Sequence, residues 1–250
     1  CWLANTGGIT VINSNGAVLP GWPRTIAENL MRSPTIGDVD NDGDDDIVIA
    51  AWIGNSAAVY VFDRNGNMLP NWPQSISGSF YFPSPSLADL DGNGDLEIII
   101  GSTSPTSQIL IFNHDGTPFT GWPAELHQTV SAVIVSDADG DGNEDILSSQ
   151  NFVSISGGLS QTGLRQNGQA VSPFPLRTDF AALAPPQMED INGGNIKEII
   201  GASAYDAYFP PNGEGVPKMR ASIYVWQGQN NGISSWPTSM HDNQRTGRHP

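Results

Sequence analysis

Four stretches of this chain place oxygen-bearing side chains at alternate positions, each just before an apolar run. The first holds Asp38, Asp40, Asp42, Asp44 and Asp46, and leads into Ile47-Val48-Ile49-Ala50. The second holds Asp89, Asp91, Asn93, Asp95 and Glu97, and the third Asp137, Asp139, Asp141, Asn143 and Asp145. The fourth is thinner, with Asp190, Asn192, Gly194, Ile196 and Glu198 at the same spacing. Oxygens at positions 1, 3, 5 and 9, with the main-chain carbonyl of position 7, form the donor set of a hard cation. Ca²⁺ takes six to eight such ligands at about 2.3–2.6 Å. Position 6 is Gly43, Gly94 and Gly142 in the first three loops, which permits the sharp turn. In the fourth it is Asn195, and Gly194 offers no side-chain ligand. The spacing predicts three strong calcium sites and a weaker fourth. An EF-hand is excluded, because position 12 is Ile49, Ile100, Ser148 or Gly201 rather than Glu.

Charge supports a bound cation. The formal net charge is -16, and the four loop regions hold six, four, five and three of the 26 acids. Such a surface repels nucleic acid. Clustered like charge opposes folding unless something neutralises it. No apolar stretch approaches the roughly 20 residues of a membrane-spanning helix. Cys1 is the sole cysteine, so no internal disulfide forms. It reads as incidental, with lipidation of a first residue as the alternative.

The elements that carry the loops repeat about every 50 residues. Asn-Gly or Asp-Gly recurs at Asn15-Gly16, Asn65-Gly66, Asp115-Gly116 and Asn167-Gly168. Trp22-Pro23, Trp72-Pro73, Trp122-Pro123 and Phe174-Pro175 follow, with Trp236-Pro237 in an altered fifth copy. These dipeptides predict type I′ hairpins. Each unit then has four strands: A before the acid loop, B after it, and C and D around the hairpin, with Trp-Pro near the end of D. A four-stranded sheet cannot bury both faces alone, so radial stacking into an all-β propeller is expected. The Trp side chains are expected to pack between blades. The units fall near 1–24 (partial), 33–76, 84–126, 130–177 and 181–238, with a closing tail over 239–250. That is about five blades in a single domain, either closed by the tail or part of a larger ring.

These residues resemble the FG-GAP/VCBS repeat family, the calcium-loop propellers related to the integrin α-subunit head. Asp38–Asp46 and Asp137–Asp145 carry its Asp-x-Asp-x-Asp-Gly-x-x-Asp loop in full. The segment Trp236-Pro237, His241-Asp242 and Thr246-Gly247 looks like the tail that ends bacterial secreted members. The resemblance implies seven blades, an extracellular or cell-surface location, and roles in adhesion, carbohydrate binding or as an accessory domain of a secreted enzyme. A structural subunit of an extracellular assembly is a further alternative.

In a meander the acid loops and Asn-Gly turns share one side, and the B–C and D–A connections share the other. The second side carries Phe80, Tyr81, Tyr205, Tyr208 and Phe209, candidates for contact with a glycan or an extracellular protein. His114, His127, His241 and His249 show no zinc spacing, and no nucleophile elbow or phosphate loop is present. The expected activity is therefore binding rather than catalysis. Glu28, Glu125, Asp179, Asp206 and Glu214 are the acids left for a carboxylate pair.

Overall fold

A computed structural model describes residues 7–26, 29–30, 33–53, 56–77, 84–102, 107–126, 130–150, 159–178, 182, 184–194, 196–208 and 218–227. Every regular element among the described residues is a strand, in five antiparallel sheets. The first sheet pairs β1 (Gly7–Ile9) with β2 (Arg24–Ile26). The second holds β3 (Asn29–Leu30), β4 (Thr35–Gly37), β5 (Asp46–Ile53), β6 (Ser56–Phe62) and β7 (Gln74–Ser77). There β3 and β4 both pair with β5, so they are two pieces of one strand A. The third runs β8 (Ser86–Ala88), β9 (Glu97–Ser102), β10 (Ser107–Phe112), β11 (Ala124–Leu126). The fourth runs β12 (Val130–Ser136), β13 (Asp145–Gln150), β14 (Leu159–Leu164), β15 (Leu176–Arg177). The fifth shows β16 (Gln187–Glu189), β17 (Glu198–Tyr208) and β18 (Lys218–Gln227). Strand B of the first unit, strand D of the last and the tail lie outside the described residues.

Alternation along strand B explains its unbroken apolar run. Side chains on a strand point to opposite faces in turn. In β5, Val48 and Ala50 join a cluster with Ile98, Ile100 and Ile111 of the third sheet. Ile47, Ile49 and Ala51 join a second cluster with Ile9, Trp22 and Ile26 of the first. The second sheet is therefore covered on both sides. Ile98, Ile99 and Ile100 of β9 are fully buried for the same reason.

Polar contacts stitch each sheet to the next. The indole N–H of Trp22 donates to Arg64 O at 3.1 Å, Trp72 to His114 O at 2.9 Å, and Trp122 to Gln166 O at 2.7 Å. Each acceptor is in the hairpin tip of the following unit. Trp22 and Trp72 also meet Phe62 and Phe112 edge-on, with ring centroids 6.0 Å apart. The A strands are tied in the same direction: Thr35 Oγ1 donates to Pro85 O and Ser86 Oγ to Val133 O, both at 2.6 Å.

Three expectations need correction. The hairpin tips are not type I′. Gly66 N donates to Asp63 O and Asp63 N to Asn67 O, and positive φ falls on Gly66 but not on Asn65. This is a type I turn closed by a left-handed glycine, and Gly16, Gly116 and Gly168 repeat it. The Asp63 side chain favours it by accepting from Asn65 N and Asn67 N. Second, Trp-Pro precedes strand D instead of ending it. A further turn, closed by Trp72 N donating to Leu69 O, separates the tip from β7. Its third residue is left-handed in each of the first three copies: Gly21, Asn71 and Gly121. Third, Tyr205 and Tyr208 belong to β17, which continues beyond the sheet body and pairs Tyr205 with Arg220 and Tyr208 with Lys218. A long hairpin replaces the predicted loop. Phe80, Tyr81 and Phe209 lie outside the described residues.

Candidate metal centres

Each acid loop joins strand A to strand B, so the sheet edge fixes both of its ends. The loop then winds around its first carboxylate. Asp89 accepts from Gly92 N and Asn93 N on Oδ1, at 2.8 and 3.1 Å, and from Gly94 N on Oδ2, at 3.0 Å. Asp137 does the same with Gly140, Asp141 and Gly142. Asp38 takes Asp42 N and Gly43 N. This winding needs a left-handed residue at position 4 as well as position 6. Asn41, Gly92, Gly140 and Gly193 supply it, with φ of 57°, 76°, 77° and 73°. The small or Asx residue at position 4 is a signal in the sequence that the spacing argument passed over.

The carboxylate at position 9 closes the loop. One of its oxygens accepts from the main-chain N–H of position 2: Asp46 from Val39 (3.0 Å), Glu97 from Leu90 (2.7 Å), Asp145 from Ala138 (3.0 Å) and Glu198 from Ile191 (3.1 Å). In all four loops this draws the acid inward. Asp46, Glu97, Asp145 and Glu198 are at most 4% exposed. Burial, then the neighbouring loop acids, pushes the carboxyls of Asp46 and Glu97 up to about 7. Burial likewise raises Asp145 to about 7. Asp40 is raised by burial and by Asp42.

Carboxylate oxygens thereby converge. Asp38, Asp40 and Asp42 bring one oxygen each within 4.8 Å of one another, as do Asp89, Asp91 and Glu97, and Asp137, Asp139 and Asp145. Glu97 Oε1 and Asp40 Oδ1 are buried with no hydrogen-bond partner. A buried anionic oxygen without a partner is costly. A hard cation would satisfy it, so these clusters can hold a metal ion.

The side chain of position 7 is engaged outside the three-carboxylate cluster. Asp44 is held by Arg64, and Asp95 Oδ2 lies 3.0 Å from His114 Nδ1. Both partners come from the hairpin tip of the same sheet, so acid loops and tips do share one side. Asn143 Nδ2 instead donates to Asp141 Oδ1 at 2.9 Å.

The fourth loop keeps the winding and loses the cage. Asp190 Oδ1 accepts from Gly193 N and Gly194 N at 2.7 and 3.1 Å. The Asn192 amide donates to Glu198 Oε1, filling with a neutral group the place a ligand would take. Gly194 offers no side-chain ligand, and a Cβ there would stand 2.5 Å from Asn192 Oδ1 and displace that side chain. Ile196 at position 7 is half-buried. The position-2 residue also differs: Ile191 is 56% exposed, while Val39, Leu90 and Ala138 are buried.

Comparison with known proteins fits this geometry. A family model for the FG-GAP-like repeat matches residues 38–100 and 89–148, which together contain the three caged loops. Over residues 38–148 the chain is therefore similar to the FG-GAP-like repeat. No curated protein matches the chain. Among solved structures, the V. cholerae biofilm matrix protein Bap1 is similar, with a TM-score of 0.43 and 19% identity. The alignment covers 85% of this chain and 40% of that one, so the chain spans less than half of its neighbour's length.

Proposed function

We propose that the chain is a calcium-stabilised β-propeller, or part of one, that works outside the cell as a non-enzymatic binding or adhesion module. The observation that carries this is the recurrence, in three successive sheets, of a cluster of three converging carboxylates in the A–B loop, which also buries its position-9 acid. A-strand hydroxyls reach from one sheet to the next, and so do tryptophan indoles, as in blades set around an axis. Calcium is the ion of choice because every donor is a hard oxygen and each loop offers several, without thiolate or imidazole ligands. Three ions, one in each caged loop, would reduce the formal charge of -16 by six. Cages built this way suit the calcium of extracellular fluids, where modules bind at about 10⁻⁴–10⁻³ M.

In this reading calcium is structural, holding the A–B edges rigid. The partner, a glycan or an extracellular protein, meets the other side, where β17 and β18 extend as a hairpin with Tyr205 and Tyr208. Thermal melting with calcium and with chelator tests the first part. The expected result is a large, calcium-specific rise in melting temperature, and equal melts would refute it. A glycan array probed with calcium-loaded protein tests the second. Binding lost on truncating the 205–220 hairpin supports it, and turnover of a bound glycan would instead mark an enzyme.

A further inference from the structure

The third loop differs from the first two in what touches its ligands. Arg64 and His114 approach position 7, whose side chain the cage does not need. Arg165 approaches positions 3 and 5 themselves: its two terminal nitrogens bond separately to Asp139 and to Asp141. A guanidinium bridging two carboxylates makes two charge-assisted hydrogen bonds, each stronger than a neutral one.

Arg165 is also out of place in its own hairpin. It occupies the first turn position, with Arg165 N donating to Gln169 O and Gly168 N to Arg165 O. The equivalents are Asn13, Asp63 and Asn113. Asn13 and Asp63 cap their turns by accepting two main-chain N–H groups. Arginine cannot accept, so the fourth copy gives up that cap, and the side chain crosses to the acid loop. It is 36% exposed there, beside a cavity of about 220 Å³ that it lines with Asp141, Asn143 and Asp145. The guanidinium has room to withdraw without repacking the core.

We infer that Arg165 is the resident counter-ion of the third loop, which calcium must displace, so that this cage binds calcium more weakly than the first two. The inference rests on the calcium reading above. It makes the third loop the one that empties first as calcium falls, while Arg165 keeps the empty loop folded.

The test is Arg165→Gln, which removes the charge and, like arginine, leaves the turn without the cap that Asn13 and Asp63 supply. Two measurements on the full chain decide it. In chelator, R165Q should melt lower than the parent by roughly 1–4 °C, the loss of one exposed pair. In a calcium titration followed by calorimetry, with bound ions counted by native mass spectrometry, the weakest site should tighten by roughly five- to tenfold. The tighter sites should not move. Arg165→Lys, which keeps the charge but not the fork, should fall between. An unchanged melt in chelator, or an unmoved weakest site, overturns the inference. If the parent takes up no ion at all, the calcium reading fails, and the melt in chelator alone still judges Arg165.

Discussion

Replacing Glu97 by Gln should change stability in opposite directions with and without calcium. The side chain is fully buried, Oε2 accepts from Leu90 N at 2.7 Å, and Oε1 has no partner. Its carboxyl is raised to about 7, chiefly by burial, with Asp91, Asp89 and Asp95 adding to it. Above that pH the ion-free protein carries a buried charge facing three others. Glutamine keeps an acceptor for Leu90 and removes the charge, so E97Q in chelator should melt as high as the parent or slightly higher. With calcium at about 100 times its dissociation constant, one site adds about 2.7 kcal/mol to folding. For a chain of this size each kcal/mol moves the melting temperature by about 2–4 °C. A lost second site therefore lowers the calcium-loaded melt by roughly 5–10 °C. Scanning calorimetry at about pH 8, above the raised carboxyl, gives both comparisons in one series. If E97Q is destabilised equally in chelator and in calcium, Glu97 is a packing group and the cage argument fails at its best-defined loop.

Further outcomes follow from the same geometry. The folded carboxyls of Asp46, Glu97 and Asp145 lie near 7, above their ordinary values of 3.8, 4.5 and 3.8. A raised folded pKa contributes stability that is complete below the ordinary value and lost as pH climbs through the raised one. Chelated protein should therefore weaken in urea melts from about pH 4 to pH 8, while saturating calcium reverses the slope. Trp72→Phe removes the indole donor to His114 O and part of the ring against Phe112. It should cost about 2 kcal/mol in urea unfolding, with calcium uptake unchanged. Gly94→Ala puts a methyl on a residue at φ 97°, 2.8 Å from Asn41 Nδ2, and should cost about 1–3 kcal/mol together with one bound ion. Gly92→Asn, at φ 76° with open space around it, should be within about 0.5 kcal/mol of the parent, since Asn41 already serves at that position of the first loop.

The acid loops were legible because their chemistry is local. A carboxylate at position 1 can gather N–H groups from positions 4, 5 and 6 only if the intervening residues allow the turn, and all of them lie within nine residues. Strand B was legible because a sheet covered on both faces must be apolar at every position, as Ile98–Ile100 are. The hairpin tips were misassigned because Asn-Gly serves two turn types, and the choice falls to the residue two positions before it: Asp63 and Asn13 cap a type I turn. Strand D was misplaced because Trp-Pro looks apolar in sequence, yet it closes a turn and sends its indole to the next sheet. Arg165 stood out in sequence only as the departure from Asn13, Asp63 and Asn113 at its repeat position. Its importance depends on a loop 24 residues earlier being brought opposite it by the β13–β14 pairing.

The indole and hydroxyl stitches all run one way along the chain: every donor precedes its acceptor, by 42 to 50 residues. Severing the chain between two units has unequal effects on the two pieces. Both pieces bare an apolar face. Beyond that, the later piece loses donors to a few carbonyls, which water replaces at little cost, while the earlier piece is left with an indole and a hydroxyl that have lost their sockets. During synthesis from the N-terminus, each finished sheet thus waits with an open anchor that its successor covers, giving assembly a polarity that the repeats themselves, nearly alike, do not have.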